Sequence, residues 1–434
     1  MQRNHARVLR FCLGCAGTLP AALFLNLMLT PAADAQVAVG RSLPMVTQPV
    51  NERNLVVLAG NTRPEAVVAA NDQGIVTDDR PLPHLMLQLR RPAAQEQALV
   101  ALIDQLHDRK SANYHHWLTA AEIGERFSPA ASDIAAVTGW LSQHGFAVNT
   151  VYTNGMVIDF SGTAGQIRTA FHTEIHNLVV DGAAHIGNTS DPQIPAALAP
   201  VVVGIASLHD FMPHPTVARH VPKSDAIANL TSGSQHYITP GDLATIYNFK
   251  PLFAAGVTGN QRIDIIENTD IYSYNDWGTF RVAFGIPYAS YPHANLELLH
   301  PGPPSGSNNC SDPGANANDG EAIVDAEYAS AAAPNAEIVL EVCEDVETTF
   351  GGLIAIQNLV NGSSPPAILS ISYSVCEVVA GASMNAMINT AYQTGVAEGM
   401  SIYVSAGDWG AAACQTHQPA EPRSLRRSGP ASRR

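Results

Sequence analysis

Charge is scarce in this chain. Asp, Glu, Lys and Arg make up 14% of its 434 residues, and lysine occurs only at Lys110, Lys223 and Lys250. Aromatic residues are also few, at 6%. Beyond the first thirty residues, no apolar run is long enough to span a bilayer as a helix. No internal repeat or low-complexity tract is present, which excludes a solenoid. The few charges are mostly acidic, for a net charge of −15. Three Arg lie in the first thirty-five residues and five in the last twenty, each group with a single acid. The body between them is therefore more acidic than the total. Such a body repels nucleic acid and anionic lipid. A sparse, acid-rich surface suits an acidic medium, where carboxylates are neutral.

What is present begins with an export signature. Arg3, Arg7 and Arg10 precede an apolar stretch from Phe11 to Thr30, and Ala33-Asp34-Ala35 supplies a small-residue cleavage site. Residues 1–35 read as a signal peptide cut after Ala35, so the protein is expected to be secreted or extracytoplasmic, without a stable membrane anchor. Pro20 and Asn26 interrupt the stretch and count against an anchor. Cys12 and Cys15 fall in this leader. Cys310, Cys343, Cys376 and Cys414 remain, and four Cys in an exported chain predict two disulfides. Three pairings are open. The separations of 33, 33 and 38 residues are too wide for a zinc site. Cys376 and Cys414 flank a strand–helix–strand unit, and Cys310 with Cys343 would leave no odd thiol.

Residues 36–80 look irregular. From Leu82 a pattern emerges. Leu85, Leu87 and Leu89 alternate as in a half-buried strand, and Leu99, Leu102, Ile103 and Leu106 recur at helical spacing. Thr119 with Glu122 reads as a capping box. Ile134, Val137 and Leu141 mark another helix, closed near Gly145. Phe146–Val151 and Gly155–Phe160 form a hairpin pattern about Thr153-Asn154. Ala164–Phe171 reads as a helix and Thr173–Val180 as a strand. This sequence of elements predicts a compact α+β, ferredoxin-like domain over residues 36–211. Residues 212–236, rich in Pro and small polar residues, read as an exposed, cleavable linker. A second domain, 237–414, alternates helices and strands, with strands at Arg262–Glu267, Ile338–Val342, Ile368–Ser372 and Ser401–Ser405. That alternation predicts an α/β fold, a parallel sheet with helices on both faces.

Two features of the second domain carry chemistry. Glu321 and Asp325 are four apart on a helix, on one face, with Cβ atoms about 5–6 Å apart. Like charges so placed repel, and a buried or shared proton relieves them, which is a general acid–base device. An acidic solvated turn, with Glu327 nearby, is the plainer reading. Ser405-Ala406-Gly407-Asp408-Trp409-Gly410 follows a strand, where sites of parallel sheets form. A tight turn alone would also account for its glycines. Sixteen His are scattered. His115-His116 and His172/His176 have ligand-like spacings, but they fall in the first domain, and no metal site is expected there.

Taken together these segments resemble the sedolisin/kumamolisin family of serine-carboxyl peptidases. Gly320-Glu321, Asp325 and Ala331-Ala332-Ala333-Pro334-Asn335-Ala336 look like the family's base-bearing helix. Ser370-Ile371-Ser372-Tyr373-Ser374 and Ser405-Ala406-Gly407-Asp408 resemble its next two strands. Tyr114-His115-His116-Trp117-Leu118-Thr119, Phe127-Ser128-Pro129 and Phe160-Ser161-Gly162-Thr163 look like the activation propeptide. Thr239-Pro240-Gly241-Asp242-Leu243 with Tyr247 looks like the start of the mature domain. The resemblance implies a subtilisin-like fold and a secreted endopeptidase precursor acting on protein or peptide substrates in acid. It implies Glu321 as base, Asp325 as the residue that orients it, and a protonated Asp408 as oxyanion donor. It also implies a propeptide that inhibits in cis, a monomer, and bound calcium.

The sequence departs from the family at its carboxyl end. The nucleophile is expected in a Ser-Gly-Thr-Ser segment well beyond the oxyanion aspartate, yet 26 residues follow Asp408. The carboxy-terminal calcium site is likewise not found. Ser161-Gly162-Thr163 lies in the propeptide pattern and is rejected as nucleophile. Ser424, Ser428 and Ser432 sit in a basic tail, residues 415–434, with no strand before them. The abrupt change at Cys414 points to a frameshift or a mis-called gene end. The expectation is a peptidase precursor that is inactive as written. The alternative is a non-catalytic inhibitor or folding aid for an intact relative.

Overall fold

The computed structural model describes residues 41–206, 208–215, 230–232 and 235–407. The leader, most of the linker, Asp408, Cys414 and the basic tail lie outside the described residues.

The amino-terminal half is built on a four-stranded antiparallel sheet. Its spatial order is Ala147–Val151, Val157–Thr163, Pro81–Leu89, Val202–Ile205. With the helices Ala131–Gln143 and Ala164–Phe171 between the strands, this is the βαββαβ arrangement of a ferredoxin-like domain. Local chemistry fixes the helix starts. Thr119 accepts from the Glu122 N–H while Glu122 accepts from the Thr119 N–H, closing the expected capping box. Thr163 and Gln166 do the same for the Ala164–Phe171 helix.

Two expectations need correction. The Pro81–Leu89 strand is not half-buried. Leu85, Leu87 and Leu89 enter the domain's own core with Trp140, Phe160 and Phe171, but Met86 and Gln88 on the opposite face are buried as well. That face packs on the second half, where Met86, Tyr152 and Val157 share one apolar cluster with Leu353, Ile354, Met384 and Met387. Each such fully buried apolar side chain contributes about 1.5–3 kcal/mol relative to exposure. Residues 36–80 are not wholly irregular either. Leu55–Val57 pairs with Gln193–Pro195, and Asp72–Ile75 joins a three-stranded sheet with Ile175–Val180 and Ala183–Asn188. These short edge strands take their order from partners more than a hundred residues away, which local pattern cannot show.

The second half contains a five-stranded parallel sheet. The order is Asn295–Leu299, Glu337–Val342, Arg262–Glu267, Ile368–Ile371, Ser401–Val404. Alternate residues of its strands face opposite ways. Ile265, Ile338 and Leu340 pack with Ala322 and Ala326 of the Asp319–Ala332 helix. Ile266, Leu369 and Ile371 pack with Leu353 and Ile354 of the Gly351–Val360 helix. Both faces are covered, as a parallel sheet requires. The edge strand Asn295–Leu299 and the helix Tyr274–Ala283 were not read from the sequence. The long Glu377–Ala397 helix kinks at Gly381, whose φ of 81° only glycine adopts freely.

Candidate active site

The candidate site lies at the carboxyl ends of the parallel strands. Asn318 precedes the Asp319–Ala332 helix, which carries Glu321 and Asp325 one turn apart. The helix is amphipathic only in outline, because Ala322, Ala326 and Ser330 are the residues it buries. Those small residues let it lie close against the sheet. Asp325 accepts a short hydrogen bond from the Ser372 hydroxyl, just past the end of the Ile368–Ile371 strand. Burial pushes the Asp325 carboxyl up from its ordinary value, and the Ser372 hydrogen bond works against that rise.

A third carboxyl group joins the pair. Glu267, the last residue of the central strand, is fully buried. Burial pushes its pKa well above the ordinary 4.5, and the Asp325 and Glu321 charges add to the rise. Its Oε2 lies 2.9 Å from the Tyr373 hydroxyl, which is also 2.9 Å from Asn268 Oδ1. Tyr373 has one hydrogen to give. A protonated Glu267 resolves the geometry: it donates to Tyr373, and Tyr373 donates to Asn268. Asn268 is held in turn, since it donates to Asp345 at 3.0 Å and accepts from Asn318 at 3.1 Å. Sequence reasoning missed Glu267. Its one signal is a carboxylate that ends an inner strand directly after the apolar pair Ile265-Ile266.

The other carboxyl-end turn is seen in part. Ser405 donates its N–H to Ile371 O at 2.9 Å, and Gly407 has a φ of 71°. Asp408 follows, outside the described residues. Cys310 and Cys343 are joined as a disulfide with Cα atoms 4.8 Å apart. Cys376 is also disulfide-bonded.

The amino-terminal half reaches this site. His214–Pro215 pairs antiparallel with Tyr373–Ser374, directly after Ser372. The beginning of the expected linker is thus an added strand rather than free chain, and Met212 packs on the shared apolar cluster. Polar contacts reinforce the interface. Tyr152 donates to Asn358 and receives Asn309, both at 2.9 Å, and buried Asp159 accepts from Asn309 at 3.0 Å. Asn361 Oδ1 accepts the Asn154 N–H at 2.8 Å. Thr349 donates to His84 O at 2.9 Å, and Leu118 donates to Ala397 O at 3.0 Å.

Comparison with known proteins now decides the lineage. Residues 69–211 match the family described as "Pro-kumamolisin, activation domain". Sedolisin from Pseudomonas sp. (strain 101) is 23% identical over 337 residues, covering 76% of this chain and 54% of its own length. Kumamolisin from Bacillus sp. (strain MN-32) is 24% identical over 364 residues, covering 83% and 62%. The chain is similar to peptidases of the sedolisin family along most of its length. Tripeptidyl-peptidase 1 of Mus musculus is a further relative, 25% identical over 319 residues, or 72% of this chain and 54% of its own length. The chain thus spans between about half and two thirds of the relatives it matches along most of its length. The ferredoxin-like half coincides with the segment that matches the activation domain, and the parallel sheet forms the second half.

Proposed function

We propose that this chain is the precursor of a secreted, acid-acting serine-carboxyl endopeptidase. The observation that carries the reading is the grouping of Glu321, Asp325 and buried Glu267 at the carboxyl ends of the sheet, beside the Tyr373–Ser374 strand that His214–Pro215 covers. In this reading Glu321 takes the proton of a serine hydroxyl as that oxygen attacks a peptide carbonyl. Asp325, held by Ser372, orients Glu321. Asp408, protonated, donates to the oxyanion. A base that must be ionised and a donor that must be neutral are both satisfied in acid, near ordinary carboxyl values of about 4.

In this reading the nucleophilic serine belongs to a Ser-Gly-Thr-Ser segment of the kind the resemblance implies, which the described residues around Glu321 do not supply. The pairing of His214–Pro215 with Tyr373–Ser374, next to Ser372 and Asp325, fits a propeptide that inhibits its own peptidase half. Among the described residues, no helix is long and apolar enough to cross a membrane. Calcium, implied by the resemblance, is not fitted by the ligand cluster the structure offers. Calcium takes six to eight oxygens, and that cluster includes an imidazole nitrogen.

The test is a comparison of two proteins at acid pH, the 434-residue chain and one read through beyond Cys414 into a Ser-Gly-Thr-Ser segment. The extended protein should release peptides, and Glu321→Gln should abolish that release. Turnover by the 434-residue chain itself, lost on Glu321→Gln, would refute the assignment of the serine. Turnover by the extended protein that survives Glu321→Gln would refute the base.

A further inference from the structure

We propose that Asp270, His300 and Asp312 form a binding site for a transition-metal dication of the Zn²⁺ class, separate from the Glu321–Asp325 pair. Among the described residues these are the one group of three or more His, Cys, Asp or Glu side chains whose ligand atoms all lie within 4.8 Å of one another. His300 Nε2 is 3.8 Å from Asp312 Oδ2. Ligand atoms bound to one ion at about 2.0–2.2 Å sit roughly 3–4 Å apart, so the spacing already suits a shared cation.

The orientation of each ligand is fixed from behind. His300 Nδ1 is 2.9 Å from the Val342 carbonyl oxygen, which can only accept. Nδ1 therefore carries the hydrogen, and in the neutral ring Nε2 presents its lone pair toward Asp312. This carbonyl–histidine arrangement is the usual outer support of a metal-bound imidazole. Asp312 accepts the Gly314 N–H on Oδ1 at 2.7 Å, which leaves Oδ2 for the His300 side. Asp270 supplies the independent observation. Its Oδ1 is inaccessible to solvent and has no hydrogen-bond partner. The group it faces is the Asp312 carboxyl, itself an acceptor, so the pair needs either a shared proton or a cation between them. Two carboxylates cannot bond to each other while both are ionised, and a dication between them removes the repulsion.

The scaffold is rigid where the ligands attach. Val342, which aims His300, is followed by Cys343, and its disulfide partner Cys310 stands two residues before Asp312. Asp270 donates its N–H to Gly314 O at 3.1 Å, which ties the two carboxylate segments together. Asp312 is 64% exposed in its side chain, so water can complete the coordination from outside. One nitrogen and two carboxylate donors favour Zn²⁺ or its neighbours over Ca²⁺ or Mg²⁺. The metal would clamp the loop that leads into the active-site helix, whose Asn316 already binds Asn268 O and Thr269 Oγ1.

The experiment uses the full 434-residue chain, stripped with chelator and titrated with Zn²⁺ by calorimetry, and with Co²⁺ as an absorbing probe. One equivalent of Zn²⁺ should bind and raise the melting temperature, with Ca²⁺ failing to compete. His300→Gln and Asp312→Asn should each weaken that equivalent by roughly 10–100-fold or more, and the Co²⁺ visible band should disappear. Asp312 is exposed, so Asp312→Asn decides the matter if His300→Gln fails to fold. Three results would overturn the site. Zn²⁺ binding unchanged in both variants places the metal elsewhere. The lack of any binding means that the carboxylates share a proton. Preferential Ca²⁺ binding means that His300 is not a ligand. None of these bears on turnover, so this test stands apart from that of the peptidase reading.

Discussion

The Tyr373 hydroxyl lies 2.9 Å from the Glu267 carboxyl group, and Tyr373 belongs to the strand that pairs with Pro215. A buried acid at the centre of the sheet is thus joined to the segment where the amino-terminal half covers the site. The pairing makes Glu267 the structural anchor of that strand.

Replacing Glu267 tests its protonation. Glu267→Gln keeps a donor for Tyr373 and removes only an acidic proton, so it should change stability at pH 7 by about 1 kcal/mol or less. Tyr373→Phe strips a buried acceptor of its partner and should cost about 1–3 kcal/mol. Urea unfolding of both variants checks this. A loss on Glu267→Gln as large as that on Tyr373→Phe would mean that Glu267 is ionised.

Stability should fall as pH rises above the ordinary carboxyl range. Burial pushes Glu341 and Glu398 up to about 8 and Glu327 to about 7, each from an ordinary 4.5. The folded state then binds more protons than the unfolded state between those limits, so unfolding becomes easier with increasing pH. The stabilisation is fully present below pH 4.5 and is lost by about pH 8. Glu398→Gln should flatten part of the slope, because burial of Glu398 outweighs the opposing backbone hydrogen bond from Ala120. Thermal melts from pH 4 to 8 measure it, and a profile that rises over this window would contradict the burial of these groups.

Docking of the two halves should depend on Asn361. Its Oδ1 accepts the Asn154 N–H, its side-chain amide donates to Gln357 O at 2.9 Å, and it is buried. Asn361→Ala leaves a buried N–H unpaired and should cost about 1–3 kcal/mol. Limited proteolysis should show the amino-terminal half cleaved faster. An unchanged cleavage rate would show that the apolar cluster alone holds the interface.

Gly351 should tolerate no side chain. A Cβ there would lie 1.9 Å from Cys343 O, a backbone atom next to the disulfide. The Gly351 N–H also donates to Asp345 at 2.7 Å. Gly351→Ala should destabilise by more than the 1–3 kcal/mol usual for overpacking, and soluble yield with a melting curve will show it.

Much of the fold was legible because it rests on local pattern. The capping box at Thr119, the helix at Ala164–Phe171 and the alternation of Leu85, Leu87 and Leu89 are periodic or short-range signals. The spacing of Glu321 and Asp325 placed them on one helix face by geometry alone. The edge strand Asn295–Leu299 and the short strands before Leu82 were not legible, since distant partners order them. The third carboxyl group was hidden for the same reason. Glu267 and Asp325 are far apart in sequence, and only the parallel sheet brings the end of the central strand beneath the helix.

The sequence alone thus determined the two-part order of the chain, its ferredoxin-like and parallel-sheet patterns, and the one-turn spacing of its two carboxylates, because propensity and periodicity are properties of neighbouring residues. The tertiary structure alone decided which groups are buried together. It set Glu267 against Tyr373, aimed His300 at Asp312, and laid His214–Pro215 along Tyr373–Ser374. Burial, proton affinity and strand pairing between distant segments depend on the packed whole, and no local window of sequence contains them.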